Sequence, residues 1–230
     1  LADYHGTGRL DLLSGASCCQ HPFGFYVFPR SADGKFAASR RVNLRFPKEE
    51  FGGDFDLPAN GLQGQTRVAV ADWNGDGVPD LFVLIPTRML GIAYGPLAGK
   101  DELTVQRLWP KGAEPVQLTD MIGLCVTDWD GDGLLDLVIG CTSAVYWCRN
   151  AGTKQAAARL EGPRRLVATT PAAIRSGVGV PGSNITGIAV ADWNGNGRPD
   201  LIVSRIDYQK AANGLQPERN QVWLYLRKDR

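Results

Sequence analysis

Apolar residues along this chain are gathered in short blocks of three to five, rich in Val, Ile and Leu and bounded by Gly or Asp. Val68 to Ala71, Leu124 to Thr127 and Ile188 to Ala191 form one set, and Leu81 to Ile85, Leu137 to Ile139 and Leu201 to Val203 the next. Blocks this short, β-prone and closed by turn formers predict buried strands. A polar Asp- and Gly-rich loop separates the two members of each pair, which predicts a hairpin. A third, aromatic-enriched strand follows at Gly24 to Phe28, Gly91 to Tyr94, Ala144 to Cys148 and Val222 to Leu226. Lys35 to Leu44, Leu103 to Trp109 and Arg159 to Val167 supply fourth strands.

The loops are copies of one another: ADYHGTGRLDL from Ala2, ADWNGDGVPDL from Ala71, TDWDGDGLLDL from Thr127 and ADWNGNGRPDL from Ala191. Their first aspartates, Asp3, Asp72, Asp128 and Asp192, stand 69, 56 and 64 residues apart, a period that suits four short strands plus loops better than a helical repeat. The fold class is therefore all-β, a β-propeller of four-stranded antiparallel blades with about four blade-like repeats. The terminal blades are incomplete, because the chain opens inside the first loop and stops after the last third strand. Residues 1–230 read as a single propeller domain or propeller segment, with repeats centred on residues 3–11, 72–80, 128–136 and 192–200, which another chain or domain would complete.

Within the loop opened by Asp72, positions 1, 3, 5 and 9 are Asp72, Asn74, Asp76 and Asp80, and position 7 offers the carbonyl of Val78. All five donors are oxygen, as calcium prefers, and alternate residues of a tight loop turn inward to supply them. Gly75 and Gly77 fit positions that need positive φ. The third loop is richer, with Asp128, Asp130, Asp132 and Asp136 plus the carbonyl of Leu134, carboxylates that would repel one another without a cation. The fourth keeps Asp192 and Asp200 but has Asn194 and Asn196 between them, with the Arg198 carbonyl, and should bind more weakly. The first has Asp3, His5, Thr7 and Asp11 with the Arg9 carbonyl; imidazole is a poor calcium ligand, so this site is the weakest. Three calcium sites and a degenerate fourth are expected. EF-hands are excluded, since their Glu at position 12 is replaced by Val83, Ile139 and Val203. A metal-free Asx- and Gly-rich turn is the competing reading of any single copy. The aromatic at position 2, Tyr4, Trp73, Trp129 or Trp193, recurs in a way that points to packing within or between blades.

Composition narrows the functions. Apolar residues make up 43% and charged residues 21%, enough for a core, and the net charge of +1 lacks the basic footprint of a nucleic-acid binder. No run is long enough to span a membrane and no signal-peptide pattern opens the chain, whose first residue is Leu1. Five cysteines, Cys18, Cys19, Cys125, Cys141 and Cys148, show no zinc spacing; the last three sit in apolar runs as small buried hydrophobes.

The segments DWNGDGVPDL, DWDGDGLLDL and DWNGNGRPDL resemble the FG-GAP or VCBS repeats of integrin α-subunit propellers and many bacterial extracellular proteins, and AVYWCRNAGT resembles the third strand and turn of that family. The resemblance implies structural calcium in the loops and a secreted or cell-surface setting. It does not imply a ligand, since members include adhesion modules, lectins and polysaccharide lyases. In an up-and-down blade the aspartate loops share one face, and the longer connections, Phe46 to Thr66, Pro110 to Met121, Ala168 to Thr186 and Arg205 to Gln221, lie at the opposite one. Invariant loops on one side and variable loops on the other suggest a binding surface on the variable side. The candidates there are His21, Phe23, Phe51, Phe55, Arg88, Arg205 and Tyr208. The leading function is a calcium-stabilised module binding a glycan or a protein. A polysaccharide lyase using His21, Tyr26 or Tyr208 with Arg88 or Arg205 is the enzymatic alternative, and an architectural module in a larger assembly is the third.

Overall fold

The structure is a computed structural model that describes residues 1–15, 24–51, 67–85, 89–109, 118, 120–153, 159–170, 172–175, 178–212 and 214–227. The chain divides into two compact units, one built on Leu1–Val116 and the other on Gln117–Thr153 with Ala158–Arg230. Among the described residues nearly all regular structure is β, arranged as four sheets of three or four strands and one two-stranded hairpin. Among the described residues no helix is long and apolar enough to cross a membrane.

The first unit contains β1 (Leu12–Gly15), β2 (Gly24–Phe28), β3 (Arg40–Arg45), the one-turn helix α1 (Lys48–Phe51), β4 (Arg67–Ala71), β5 (Asp80–Ile85), β6 (Met89–Ala93), β7 (Glu102–Thr104) and β8 (Gln106–Arg107). Its two sheets run β1-β2-β3-β7 and β4-β5-β6-β8. All pairings are antiparallel except β3 with β7. Residues 102–107 thus serve both sheets: β7 extends the first, two residues later β8 extends the second, and Val105 between them is fully buried. The core that results gathers Phe25, Val27 and Val42 from one sheet with Leu81, Val83 and Ala93 from the other.

The second unit contains β9 (Met121–Thr127), β10 (Asp136–Cys141), β11 (Ala144–Asn150), β12 (Leu160–Ala168), β13 (Ala173–Arg175), β14 (Val178–Val180), β15 (Gly182–Ala191), β16 (Asp200–Ala211) and β17 (Gly214–Tyr225). Its main sheets run β12-β11-β10-β9 and β15-β16-β17, with β13-β14 as a separate hairpin. Gly123 and Gly140 face each other across the β9–β10 ladder, and a Cβ on either would stand within 3 Å of the Ile188 side chain. The absent side chains let Ile188 of β15 lie flat on the third sheet, beside a core of Val138, Val145, Ile185 and Val203.

Strand placement agrees with the apolar blocks, and the differences lie in polar sequence. Arg205 to Gln221, expected as a loop, is the outer part of the β16–β17 hairpin, paired through to Ala211 and Gly214. Ala168 to Thr186 holds β13, β14 and the start of β15 rather than open loop. RIDYQKA and GLQPERN carry polar residues on both faces, so they leave no period-two signal, and their register comes from the neighbouring strand. Of Phe46 to Thr66 and Pro110 to Met121, most lies outside the described residues.

The last sheet has three strands where the other main sheets have four. Register makes the consequence visible. Leu224 pairs with Ile202, the second residue after its loop, as Ile92 pairs with Phe82 and Val27 with Leu13. Leu224 is 39% exposed, whereas Ile92 is 1% and Val27 0%. Val222, Trp223, Tyr225 and Leu226 are exposed beside it. An uncovered apolar edge strand is a template for association. Replacing Val222 and Leu224 with Lys is expected to lower the average mass seen by sedimentation at high protein concentration, with the β circular-dichroism signal unchanged. Equal association of variant and parent would show that this edge is not the contact.

Candidate metal-binding loops

Loops two, three and four each join the first two strands of their sheet and end where the second begins, while the first runs from the isolated bridge residue Ala2 to the start of β1. The sequence folds there because its two glycines take the left-handed conformation: Gly75 and Gly77 have φ of 72° and 83°, Gly131 and Gly133 82° and 86°, Gly195 and Gly197 74° and 79°. These values would strain a residue with a Cβ. Gly6 and Gly8 of the first loop do the same at 65° and 76°.

Position 1 shapes the loop from within. Asp72 accepts the backbone N–H of Asp76 on one oxygen at 3.0 Å and that of Gly77 on the other at 2.9 Å. Asp192 holds Asn196 and Gly197 in the same way at 3.0 and 2.8 Å, and Asp3 holds Thr7 and Gly8 at 2.8 and 2.7 Å. Asp128 accepts Gly131, Asp132 and Gly133 at 2.8, 3.1 and 2.9 Å. Position 5 in turn accepts the N–H of position 7, from Asp76 to Val78, Asp132 to Leu134 and Asn196 to Arg198.

Position 9 acts outside the loop. Asp80 is fully buried; one oxygen accepts the N–H of Trp73 at 3.0 Å and the other that of Gly95, just past β6, at 2.9 Å. Asp136 takes Trp129 and Asn150, and Asp200 takes Trp193 and Arg227, by the same geometry. Burial is the main cause that raises the carboxyls of Asp80 and Asp136 above the ordinary aspartate range, against hydrogen bonds that lower them. In the first loop Asp11 accepts Arg30 N–H at 2.8 Å, while its second oxygen meets His5 Nδ1 at 2.7 Å. The side chain at position 3 is therefore turned onto position 9.

Can these groups hold a cation? Single carboxylate oxygens of Asp128, Asp130 and Asp136 lie within 4.8 Å of one another. An all-oxygen, carboxylate-rich set of that size fits a calcium ion by the chemistry of its donors. Arg149, which sequence reasoning missed, reaches into this loop. Its Nε donates to Asp130 Oδ2 and its Nη2 to Asp132 Oδ2, each at 2.6 Å. A signal for it existed: Arg149 is the penultimate residue of the third strand, one before Asn150, whose N–H meets position 9. Between loops three and four opens a cleft of about 690 Å³. Asp128, Asp130, Asp192, Arg198 and Arg227 are among the residues that line it, so this cavity lies on the aspartate-loop side.

The aromatics at position 2 divide. Tyr4 is buried, donates its hydroxyl to the Leu97 carbonyl at 3.1 Å, and has its pKa pushed up to about 12 by burial. Trp73 meets Phe82 edge-on at 5.2 Å, and the Arg227 guanidinium lies 4.8 Å from the Trp129 ring. Trp193, by contrast, is 65% exposed.

Of the ligand candidates, His21, Phe23, Phe55 and Arg88 lie outside the described residues. Phe51 is buried in the first core, edge-on to Phe46 at 5.2 Å, and so faces inward rather than toward solvent. Arg205 and Tyr208 stand on β16; Arg205 donates to Gln221 at 3.1 Å, pairs with Asp207 at 3.4 Å and covers the Trp223 ring. Cys141 and Cys148 are buried as expected while Cys125 is half-buried, and desolvation pushes the Cys125 and Cys148 thiols up to about 11 and about 12.

Asp136→Asn replaces one carboxylate oxygen with an amide donor facing a backbone N–H, at a cost of about 1–3 kcal/mol. The sign of its pH dependence follows from the raised carboxyl. The folded state holds the proton more tightly than the unfolded chain, so this group favours folding at acid pH and loses that contribution as pH rises through the raised value. Urea titrations in EDTA should therefore show the stability difference shifting in the variant's favour over that window. A flat difference would mean that the carboxyl is not perturbed by burial.

Residues 128–203, from the first aspartate of loop three to Val203 of β16, match the family model described as FG-GAP-like repeat. No curated protein matches the chain significantly. Among solved structures it is similar to an Agrocybe aegerita lectin described with its specific recognition of non-reducing terminal N-acetylglucosamine. That match has 18% identity and a TM-score of 0.48, over 98% of this chain and 56% of that one. It is also similar to a Photorhabdus luminescens Tc holotoxin pore, at 19% identity and TM-score 0.42, over 84% of this chain and 8% of that one. The chain thus spans about half the length of the lectin and a small part of the toxin chain. With the loop that heads the matched segment clamped as described, the chain carries an FG-GAP-like repeat.

Proposed function

We propose that this chain is a calcium-stabilised, extracellular β-propeller module that binds a glycan or a protein through the ends of its sheets away from the aspartate loops. The observation that carries the reading is the repetition of one loop in every main sheet. Positions 1 and 9 hold the hairpin through backbone N–H bonds, and their carboxylates keep lone pairs that, with those at positions 3 and 5, are available to meet a cation. Asp72, Asn74, Asp76, Val78 and Asp80 would hold one ion, and Asp128, Asp130, Asp132, Leu134 and Asp136 a second. Asp192, Asn194, Asn196, Arg198 and Asp200 would hold a third, weaker one. His5 is already engaged with Asp11, so the first loop keeps its shape through an imidazole contact instead. Extracellular calcium modules work at about 10⁻⁴ to 10⁻³ M, a range that suits loops of this charge.

The ligand-facing part of the proposal rests on topology. The turn of the β16–β17 hairpin lies at the far end of β16 from loop four, and these strands, at 12 residues each, are twice as long as β5 or β10. The extension carries Arg205 and Tyr208. Binding is favoured over lyase chemistry because Arg205 is held by Gln221 and Asp207 instead of standing ready to neutralise a uronate. A glycan array probed with parent and with an Arg205/Tyr208 double alanine variant tests this face. Loss of a parental signal in the variant is the expected result, and release of unsaturated uronate from an acidic polysaccharide would replace binding with catalysis.

Calcium has its own test. At about 100-fold above Kd, each ion adds about 2.7 kcal/mol to stability. Parent protein should melt at higher temperature in calcium than in EDTA, and changing both Asp128 and Asp132 to Ala should remove part of that gain. Equal melting of the parent in calcium and EDTA would sink the metal assignment.

A further inference from the structure

Charge counting alone ranks loop three as the tightest calcium site, since it brings four carboxylates where loop two brings three and loop four two. The structure shows a counter-charge that the ranking leaves out. Arg149 grips loop three at two points, with Nε on Asp130 and Nη2 on Asp132, both at 2.6 Å. The other oxygen of each carboxylate is also engaged: Asp130 Oδ1 accepts the Asp132 N–H at 3.3 Å and Asp132 Oδ1 accepts the Leu134 N–H at 2.9 Å. Every oxygen of the side chains at positions 3 and 5 thus already accepts one hydrogen bond.

The arginine belongs to this loop and not to the repeat. Its register is fixed by the next residue, Asn150, which donates to Asp136 as Arg30, Gly95 and Arg227 donate to Asp11, Asp80 and Asp200. The residues before those three are Pro29, Tyr94 and Leu226, none of which carries a charge. The one copy with a carboxylate at every odd side-chain position is the copy with a guanidinium at this strand end. A planar fork of fixed N–H groups matches paired carboxylates better than any other side chain, and such charge-assisted bonds are about twice as strong as neutral ones.

We infer that Arg149 is the resident counter-cation of loop three, stabilising it when ion-free and lowering its calcium affinity, so that loop two is the tighter site. This rests on the calcium reading proposed above. A divalent cation reaching Asp130 and Asp132 has to displace the guanidinium or lie beside a like charge, and either lowers the affinity. The arginine sets a threshold: loop three fills only where calcium is high enough to replace it.

Full-length parent, Arg149→Gln and Arg149→Lys are to be titrated with calcium by calorimetry, with Asp128→Asn marking which site belongs to loop three. In Arg149→Gln the loop-three affinity should rise on the order of tenfold, and Arg149→Lys, which keeps the charge without the fork, should fall between. In EDTA the Gln variant should melt below the parent, and in saturating calcium the gap should close. Unchanged or weaker calcium binding in the Gln variant, with the parent site still present, overturns the competition while leaving the calcium reading intact. Absence of any calcium heat in the parent overturns both. A Gln variant that melts with the parent in EDTA overturns the counter-cation role by itself.

Discussion

Everything in this fold hangs on a buried carboxylate placed nine residues into each loop. Asp80, Asp136 and Asp200 each tie together the end of the first strand, the start of the second and the end of the third, because one oxygen takes an N–H from position 2 and the other an N–H at or just past the end of the third strand. Among the described residues they and Asp11 are the only buried acidic groups. Taking a carboxylate out of water is costly, and the upward pKa displacement of Asp80 and Asp136 is that cost made visible. Two charge-assisted bonds offset it. Asparagine would offer one acceptor instead of two, which explains why amides appear at positions 3 and 5 but never at 9.

Because positions 1 and 9 are satisfied by backbone N–H groups, the hairpin reaches its shape from the chain's own donors. The remaining side chains differ from copy to copy, and so does what balances them. In the first loop His5 turns onto Asp11; in the second Asn74 donates its amide to Asp76; in the third Arg149 spans Asp130 and Asp132; in the fourth Asn196 donates to the Arg227 carbonyl. One backbone therefore supports four charge states. An ion bound at such a loop would meet a hairpin that backbone donors already shape.

The loops were legible in the sequence because position, residue type and turn geometry coincide: Gly at 4 and 6 demands positive φ, and the aspartates recur at fixed offsets. The strands were legible where apolar residues sit in blocks. Legibility stopped where contact depends on a partner far along the chain. The β7–β3 parallel pairing joins residues nearly sixty positions apart through a three-residue strand with no period of its own. Arg149 lies 17 residues from Asp132, and only hairpin register brings them together. The polar outer parts of β16 and β17, within Arg205 to Gln221, read as loop because neither face is apolar enough to show an alternation.

The aromatic at position 2 shows that burial here belongs to pairs of repeats. Tyr4 is capped by the carbonyl of Leu97, two residues past Gly95, the residue that meets Asp80 in the next repeat. Trp129 is capped by Arg227, the residue that meets Asp200 in the repeat after it, through both ring face and carbonyl. In each case the segment just beyond one repeat's third strand roofs the preceding repeat's aromatic. Trp193 has the same sequence context and the same N–H bond to its own position 9, yet it stays exposed, as do Leu224 and Tyr225 on the edge of the same sheet. What differs is the neighbour and not the strand. Stability in such an array is a sum of each repeat's own hydrogen bonds and the interface it makes with the next. The position-9 aspartate supplies the first term in β5, β10 and β16, and the roofs over Tyr4 and Trp129 supply the second in their pairs of repeats.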